Sequence, residues 1–276
     1  MPGAAPLDVL PLWSLFVLLL IGTLALEEAG FRIGRTRVAG GRAESDATVG
    51  AVVAAVLALL GFLVAFSFGI VAARFDSRRH LVLEEANAIG TTFLRAEMLP
   101  NPQAQSIRHL LRDYTEVRLG AASGVSTDQI VRRSEEIHRA LWSETVAATA
   151  HDRSVPTGLF IQSLNELIDL HTTRGMVSLR YRMPLVAWTV LFAVALLAFF
   201  AVGYQSGLAR PVRAPSVIVL ALAFTAVTWL VLDLDRPRAG LFRVSQEPMI
   251  QVLRMIDSTI GPQSISASPG QQSPSN

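Results

Sequence analysis

Four stretches of the chain run without one charged residue: Val9 to Leu26 (18 residues), Ala47 to Ala73 (27), Met183 to Ala209 (27) and Ala214 to Leu232 (19). At about 1.5 Å of rise per residue, roughly 20 apolar residues cross a hydrocarbon core of about 30 Å, so each run predicts a membrane-spanning helix. None keeps the polar stripe that a soluble surface helix turns toward water. The first run is not a cleaved signal peptide of the usual pattern, because Asp8 precedes it and no basic segment does. Trp13, Trp188 and Trp229 lie near span ends, where an amphipathic ring suits the headgroup layer.

Between the second and third runs the pattern changes to helices with one wet face. Over Asp76 to Leu99, Val82, Ala86, Ile89 and Phe93 recur at spacings of four, three and four, and Pro100 and Pro102 then end the helix. Ser106 to Leu119 repeats the pattern with Ile107, Leu110, Leu111, Tyr114 and Val117. A small-residue break over Gly120 to Gly124 follows, and Ser126 or Thr127 can cap a helix running to about Ala150. Pro156 opens the next helix, in which Leu164, Leu167, Ile168 and His171 share a face. No strand-like alternation occurs. The fold class expected is therefore all-α: a polytopic membrane protein with four transmembrane helices and a helical soluble domain inserted between the second and third. Its boundaries read as 1–75 for the first helix pair, 76–182 for the soluble domain, 183–235 for the second pair, 236–257 for a post-membrane segment and 258–276 for an uncharged, disordered tail rich in Ser, Pro and Gln.

Composition adds exclusions. Charged residues make up 17% of the chain against 51% hydrophobic, below the quarter charged of a soluble domain. Without cysteine there are no disulfides, thiolate metal sites or thiol nucleophiles. A net charge of +2 does not argue for nucleic acid. All 24 basic side chains are arginine, and their placement orients the chain. Arg74, Arg78, Arg79, Arg174, Arg180 and Arg182 flank the middle domain, and Arg236, Arg238, Arg243 and Arg254 follow the fourth span. Opposite stand Arg32, Arg35, Arg37 and Arg42 in the first loop and Arg210 and Arg213 in the second. The majority side is expected to be cytoplasmic, together with both termini.

Little in the sequence suggests catalysis. Glu135 and His138 form one Glu-x-x-His pair, but a di-iron bundle needs a second pair and two more glutamates, so these read as a solvated helix face. No Gly-x-Ser-x-Gly elbow or phosphate-binding loop is present, and neither an enzyme nor a bound metal or cofactor is expected. The notable span residues are aromatic. Phe62 and Phe66 stand one turn apart, with Ala58 a turn before and Ile70 a turn after. In an isolated chain they read as a helix–helix or lipid-facing stripe. Around the axis of a homo-oligomer they would form a hydrophobic constriction that gates ions by excluding water. Asp233 and Asp235 end the fourth span ahead of Arg236 and Pro237. They read as an interfacial helix stop, or as a cation or gating site at a pore mouth.

The stretches Gly61 to Arg79, Glu84-Glu-Ala-Asn-Ala-Ile-Gly90 and Leu94-Arg-Ala-Glu-Met-Leu-Pro100, with Asp233-Leu-Asp-Arg-Pro-Arg-Ala-Gly240, Val244 and Pro248, resemble the bestrophin-like family of bacterial membrane proteins. The resemblance runs from about Leu12 to Ile256 and is most specific at the second span and after the fourth. That family is distantly related to the bestrophins, pentameric ion channels with four spans per subunit and cytoplasmic termini. The resemblance implies a multi-pass protein of the bacterial inner membrane that partners the lipid bilayer, assembles as a homo-oligomer and passes inorganic ions. It implies that Phe62 and Phe66 fall near the bestrophin hydrophobic neck, with Ala58 replacing a larger residue. Arg74 and Phe75 sit where bestrophins carry an arginine and an aromatic pair. Asp233 and Asp235 lie near the calcium-binding acidic clasp, but its run of consecutive acids is missing, so calcium sensing is not implied. A non-conducting scaffold or sensor, whose soluble domain binds a partner, is the alternative reading.

Overall fold

A computed structural model describes residues 11–42, 44–120, 126–179, 183–209, 215–236 and 241–261. Among these, eight α-helices follow one another and no strand occurs: α1 (Leu12–Ala39), α2 (Asp46–Ala96), α3 (Gln103–Gly120), α4 (Thr127–His151), α5 (Val155–Leu179), α6 (Leu185–Ala209), α7 (Pro215–Asp235) and α8 (Glu247–Ile260). Four of them, α1, α2, α6 and α7, are long and apolar enough to cross a membrane. The chain folds into two compact units, one built from residues 1–78 and 177–244, the other from 79–176 and 245–276.

Three elements differ from the reading of the sequence. α1 continues well past Leu26, so Arg32, Arg35 and Arg37 lie on helix and not in a loop. Its extension is held by a pair of facing glycine motifs. Gly30 and Gly34 of α1 lie against Gly203 and Gly207 of α6 so closely that a Cβ on any of the four would overlap backbone of the other helix. Glu27, one residue beyond the uncharged run, is buried in the same unit, and Glu28 pairs with Arg32 at 2.6 Å one turn on.

The second difference is α2. The second span and the first soluble helix are one uninterrupted helix of 51 residues. Arg74, Asp76, Arg78 and Arg79 are tolerated inside a helix, and no proline intervenes before Pro100. The third is α8, a helix in what reads as a post-membrane segment. It extends to Ile260, so Ser258 belongs to helix and not to the tail, while residues 262–276 lie outside the described residues. The break over Gly120 to Gly124 also falls mostly outside them.

In the first unit, Leu60 and Val71 of α2 pack with Trp188, Leu191, Ala195 and Ala198 of α6 and Val231 and Leu232 of α7. Trp188 is thus a core residue stacked on Phe192, not a headgroup anchor, whereas Trp13 is 69% exposed. In the second unit the predicted face of α2 is inward: Val82, Ala86, Ile89 and Phe93 are all buried, as are Ile107, Leu111, Leu141, Phe160, Leu164, Leu167, Met249 and Ile256. Ser126 is the cap of α4, its hydroxyl accepting from the backbone N–H of Gln129 at 3.3 Å.

Candidate functional site

On α2 the burial pattern separates two faces. Val49, Val53, Leu60, Ser67 and Val71 turn into the first unit. Phe62 and Phe66 turn out of it, at 65% and 59% exposure, and their rings stack with centroids 6.1 Å apart. Ala58 is exposed with them, while Ile70 is half-buried. Val52 and Leu59 extend the exposed apolar face toward the start of the helix. A face this apolar, on a helix long enough to span, faces either lipid or other copies of itself.

The acids at the end of α7 are engaged with backbone. Asp233 is fully buried, and its carboxylate accepts from the N–H groups of Leu241 and Phe242, each at 3.1 Å. Asp235 accepts from the N–H of Met183 at 3.2 Å and stands 4.0 Å from the guanidinium of Arg74. Arg78, singled out in the sequence only as a flanking charge, donates to the carbonyl of Leu234 at 2.5 Å and to that of Asp235 at 3.4 Å. The last carbonyls of a helix lack intrahelical donors and carry its negative end, so an arginine there is doubly favourable. Arg74 and Asp235 are brought together; Asp233 instead ties down the segment after α7.

The second unit holds a buried polar cluster that the sequence reading did not assemble. Glu85 has no exposed surface. Its carboxylate takes hydrogen bonds from the hydroxyl of Tyr114 at 2.5 Å, from Arg118 at 3.0 Å and from Arg174 at 2.5 Å. Arg174 also donates to Gln246 at 3.1 Å. Burial alone would raise the Glu85 pKa, but Arg118 and Arg174 overcome it and hold it down at about 2. His138, expected on a solvated face, is buried: its ring lies 5.0 Å from that of Tyr114 and 4.8 Å from that of His171. His171 reaches the Tyr114 hydroxyl through Nδ1 at 3.3 Å. Burial, then the charge of Arg118, lowers both histidines to about 4, so they are neutral at pH 7. Among the described residues no cluster of three or more His, Cys, Asp or Glu has the geometry to hold a metal ion. A signal for this cluster was present: Glu85, Tyr114, Arg118, His171 and Arg174 all continue apolar helix faces, and polar groups on such faces need one another.

The sequence profile of the Bestrophin-like domain matches residues 21–249. Among curated proteins, none matches the sequence. Solved structures share the fold. A single-substitution form of a bacterial bestrophin homolog from Klebsiella pneumoniae superposes with a TM-score of 0.68 at 11% identity, covering 90% of this chain and 99% of the other. A second crystal structure of the Klebsiella pneumoniae homolog gives 0.61 at 14% identity, with 88% and 97% covered. A variant described only as a membrane protein gives 0.62 at 14%, with 90% and 99% covered. With a domain match over most of its length and the four-span helical fold, the chain belongs to the bestrophin-like family.

Proposed function

We propose that the protein assembles as a homo-oligomer in the bacterial inner membrane and forms an ion-conducting pore lined by α2, with Phe62 and Phe66 as its hydrophobic neck. The observation that carries this reading is the outward pair of stacked phenylalanines on a helix whose opposite face builds the subunit core. Several such helices around an axis would form a ring of aromatic edges, a narrow and poorly hydrated constriction that slows ions without sealing the path. Ala58 and Ile70 would widen the path on either side. Arg74, Arg78 and Asp235 would act as positioning residues, holding the middle of α2 to the end of α7. The positive-inside count supports a cytoplasmic middle domain and termini.

The test is ion flux from the purified oligomer reconstituted in liposomes. Wild type is expected to pass small ions, and Phe66→Ala to raise leak roughly tenfold by removing the dry constriction. No flux in several salts, from protein of confirmed oligomeric state, overturns the proposal. A second reading has its own support in the soluble unit. Trp142 and Val146, one turn apart on α4, are 43% and 56% exposed and would suit a protein partner of a non-conducting scaffold. Absence of flux, together with a co-purifying protein lost on Trp142→Ser, would favour that reading.

A further inference from the structure

α1 closes with a turn that folds the chain back over its last residues. The N–H of Gly41 donates to the carbonyl of Val38 at 3.1 Å, and that of Arg42 to the carbonyl of Arg37 at 3.0 Å. Gly41, at a φ of 65°, supplies the left-handed residue the turn requires. This pair of bonds makes a Schellman turn, whose outer two residues are commonly in apolar contact. Here both are arginine, so the turn gathers Arg37 and Arg42, two like charges, at one helix end.

Nothing in the surrounding unit neutralises them. The carbonyls of Arg37 and Val38 already have backbone donors, so neither guanidinium is needed as a cap. Both arginines are exposed, and among the described residues neither holds an ion pair. The neighbouring acids are committed elsewhere. Glu28 pairs with Arg32 at 2.6 Å, and Glu44 accepts from the hydroxyl of Tyr204 at 3.0 Å. Asp46 stands in the first turn of α2, where it complements the positive helix end. Glu27 is buried. Two guanidinium groups so placed repel each other unless an anion joins them.

The depth of the pair is set by α6. Gly34, less than a turn before Arg37, lies against Gly207 of α6, and the uncharged run of α6 ends at Ala209. That of α2 begins at Ala47. Arg37 and Arg42 therefore stand where neighbouring spans leave the hydrocarbon, at the level of headgroup phosphates. Val38, 39% exposed, places apolar surface beside them. The pair also lies on the side of the membrane that carries fewer arginines, so orienting the chain does not account for it.

We infer that Arg37 and Arg42 hold the headgroup phosphate of an anionic phospholipid. Two guanidinium forks suit the two free oxygens of a phosphodiester. A lipid delivers that group to this depth with its tails already in the bilayer, as a free phosphate ion does not. The inference needs neither conduction nor an oligomer, and stands apart from the pore reading.

The experiment titrates the full-length protein in neutral detergent with phosphatidylglycerol and, separately, with phosphatidylcholine, reading bound lipid per chain by native mass spectrometry. Wild type is expected to hold phosphatidylglycerol roughly twentyfold more tightly. Arg37→Gln and Arg42→Gln should each weaken it roughly fivefold, the scale of one arginine against an anionic lipid, and the double substitution should remove the preference. Arg35→Gln takes the same charge from the same turn, about 200° round the helix from Arg37, and should keep it. An unchanged elution volume confirms that each variant is folded. Equal affinity for the two lipids in wild type overturns the inference. So does an equal loss on Arg35→Gln, which would show diffuse surface charge and no site. Displacement of phosphatidylglycerol by millimolar inorganic phosphate overturns the lipid assignment, because a free anion would then satisfy the pair.

Discussion

At the scale of residues, the chain concentrates its unusual energetics in the cluster around Glu85. A carboxylate with no exposed surface is tolerable only because Arg118, Arg174 and Tyr114 satisfy it. Removing the charge by Glu85→Gln leaves two arginines facing each other, and is expected to cost about 3–5 kcal/mol, as for other buried pairs stripped of one partner. Protease resistance of residues 79–176 in the detergent-solubilised protein measures it, and adding Arg174→Met should recover part of the loss. The histidines make the same region acid-sensitive. Unfolded, each takes up a proton near pH 6.5; folded, only near 4. Protons therefore favour the unfolded state in between: stability present above about 6.5 falls as pH drops to about 4, by roughly 3 kcal/mol for one histidine. Glu85, about 2 when folded against 4.5 as a free side chain, extends the loss further into acid. A His138→Phe, His171→Phe protein should show a flatter fall over this range in melting temperature followed in detergent. Glu135 and His138, read together as a wet face, show why such clusters hide in sequence. Glu135 is exposed and His138 buried three residues later, and only the neighbours that α3 and α5 bring in decide which is which.

At the scale of elements, the spans were legible because lipid imposes a length and forbids charge, so Met183 to Ala209 translates almost directly into α6. Helix ends were harder where propensity, not lipid, decides. Nothing stops α2 at Arg74, since arginine and aspartate continue a helix when no proline interrupts it. The extension of α1 past Glu27 depends on α6, which no local pattern reveals. Only the paired spacing of Gly30 with Gly34 and of Gly203 with Gly207 hints at two backbones in contact. A side chain there must force the helices apart. Gly203→Leu is expected to abolish the folded protein or leave it aggregated on size exclusion, because its Cβ alone would meet the carbonyl of Glu27. Gly61→Ala, where nothing lies within 4 Å of the added methyl, should leave elution unchanged. Equal behaviour of the two variants would show that the α1–α6 contact does not govern assembly of the unit.

At the scale of the whole molecule, the proposed pore requires that the outward face of α2 meets its own copies and not only lipid. The chain has no native cysteine, so single cysteines can ask this without a background. Leu59 is 48% exposed and Leu60, its neighbour, 4%. They differ by about 100° around the helix, which sends one side chain out of the subunit and the other into its core. If copies of α2 gather around an axis, Leu59→Cys side chains from different subunits approach one another across it. Mild oxidation in membranes should then give a dimer band on non-reducing gels. Leu60→Cys, shielded within each subunit, should stay monomeric under the same oxidant. The narrow path proposed at Phe66 makes the same demand one turn beyond Phe62, so Phe66→Cys should cross-link at least as fast as Leu59→Cys. A face turned only to lipid predicts no dimer at either outward position, because diffusing monomers seldom meet in register and a disulfide needs Cα atoms within about 7 Å. The contrast between Leu59 and Leu60 thus separates a helix that lines an axis from one that merely spans, before any current is measured.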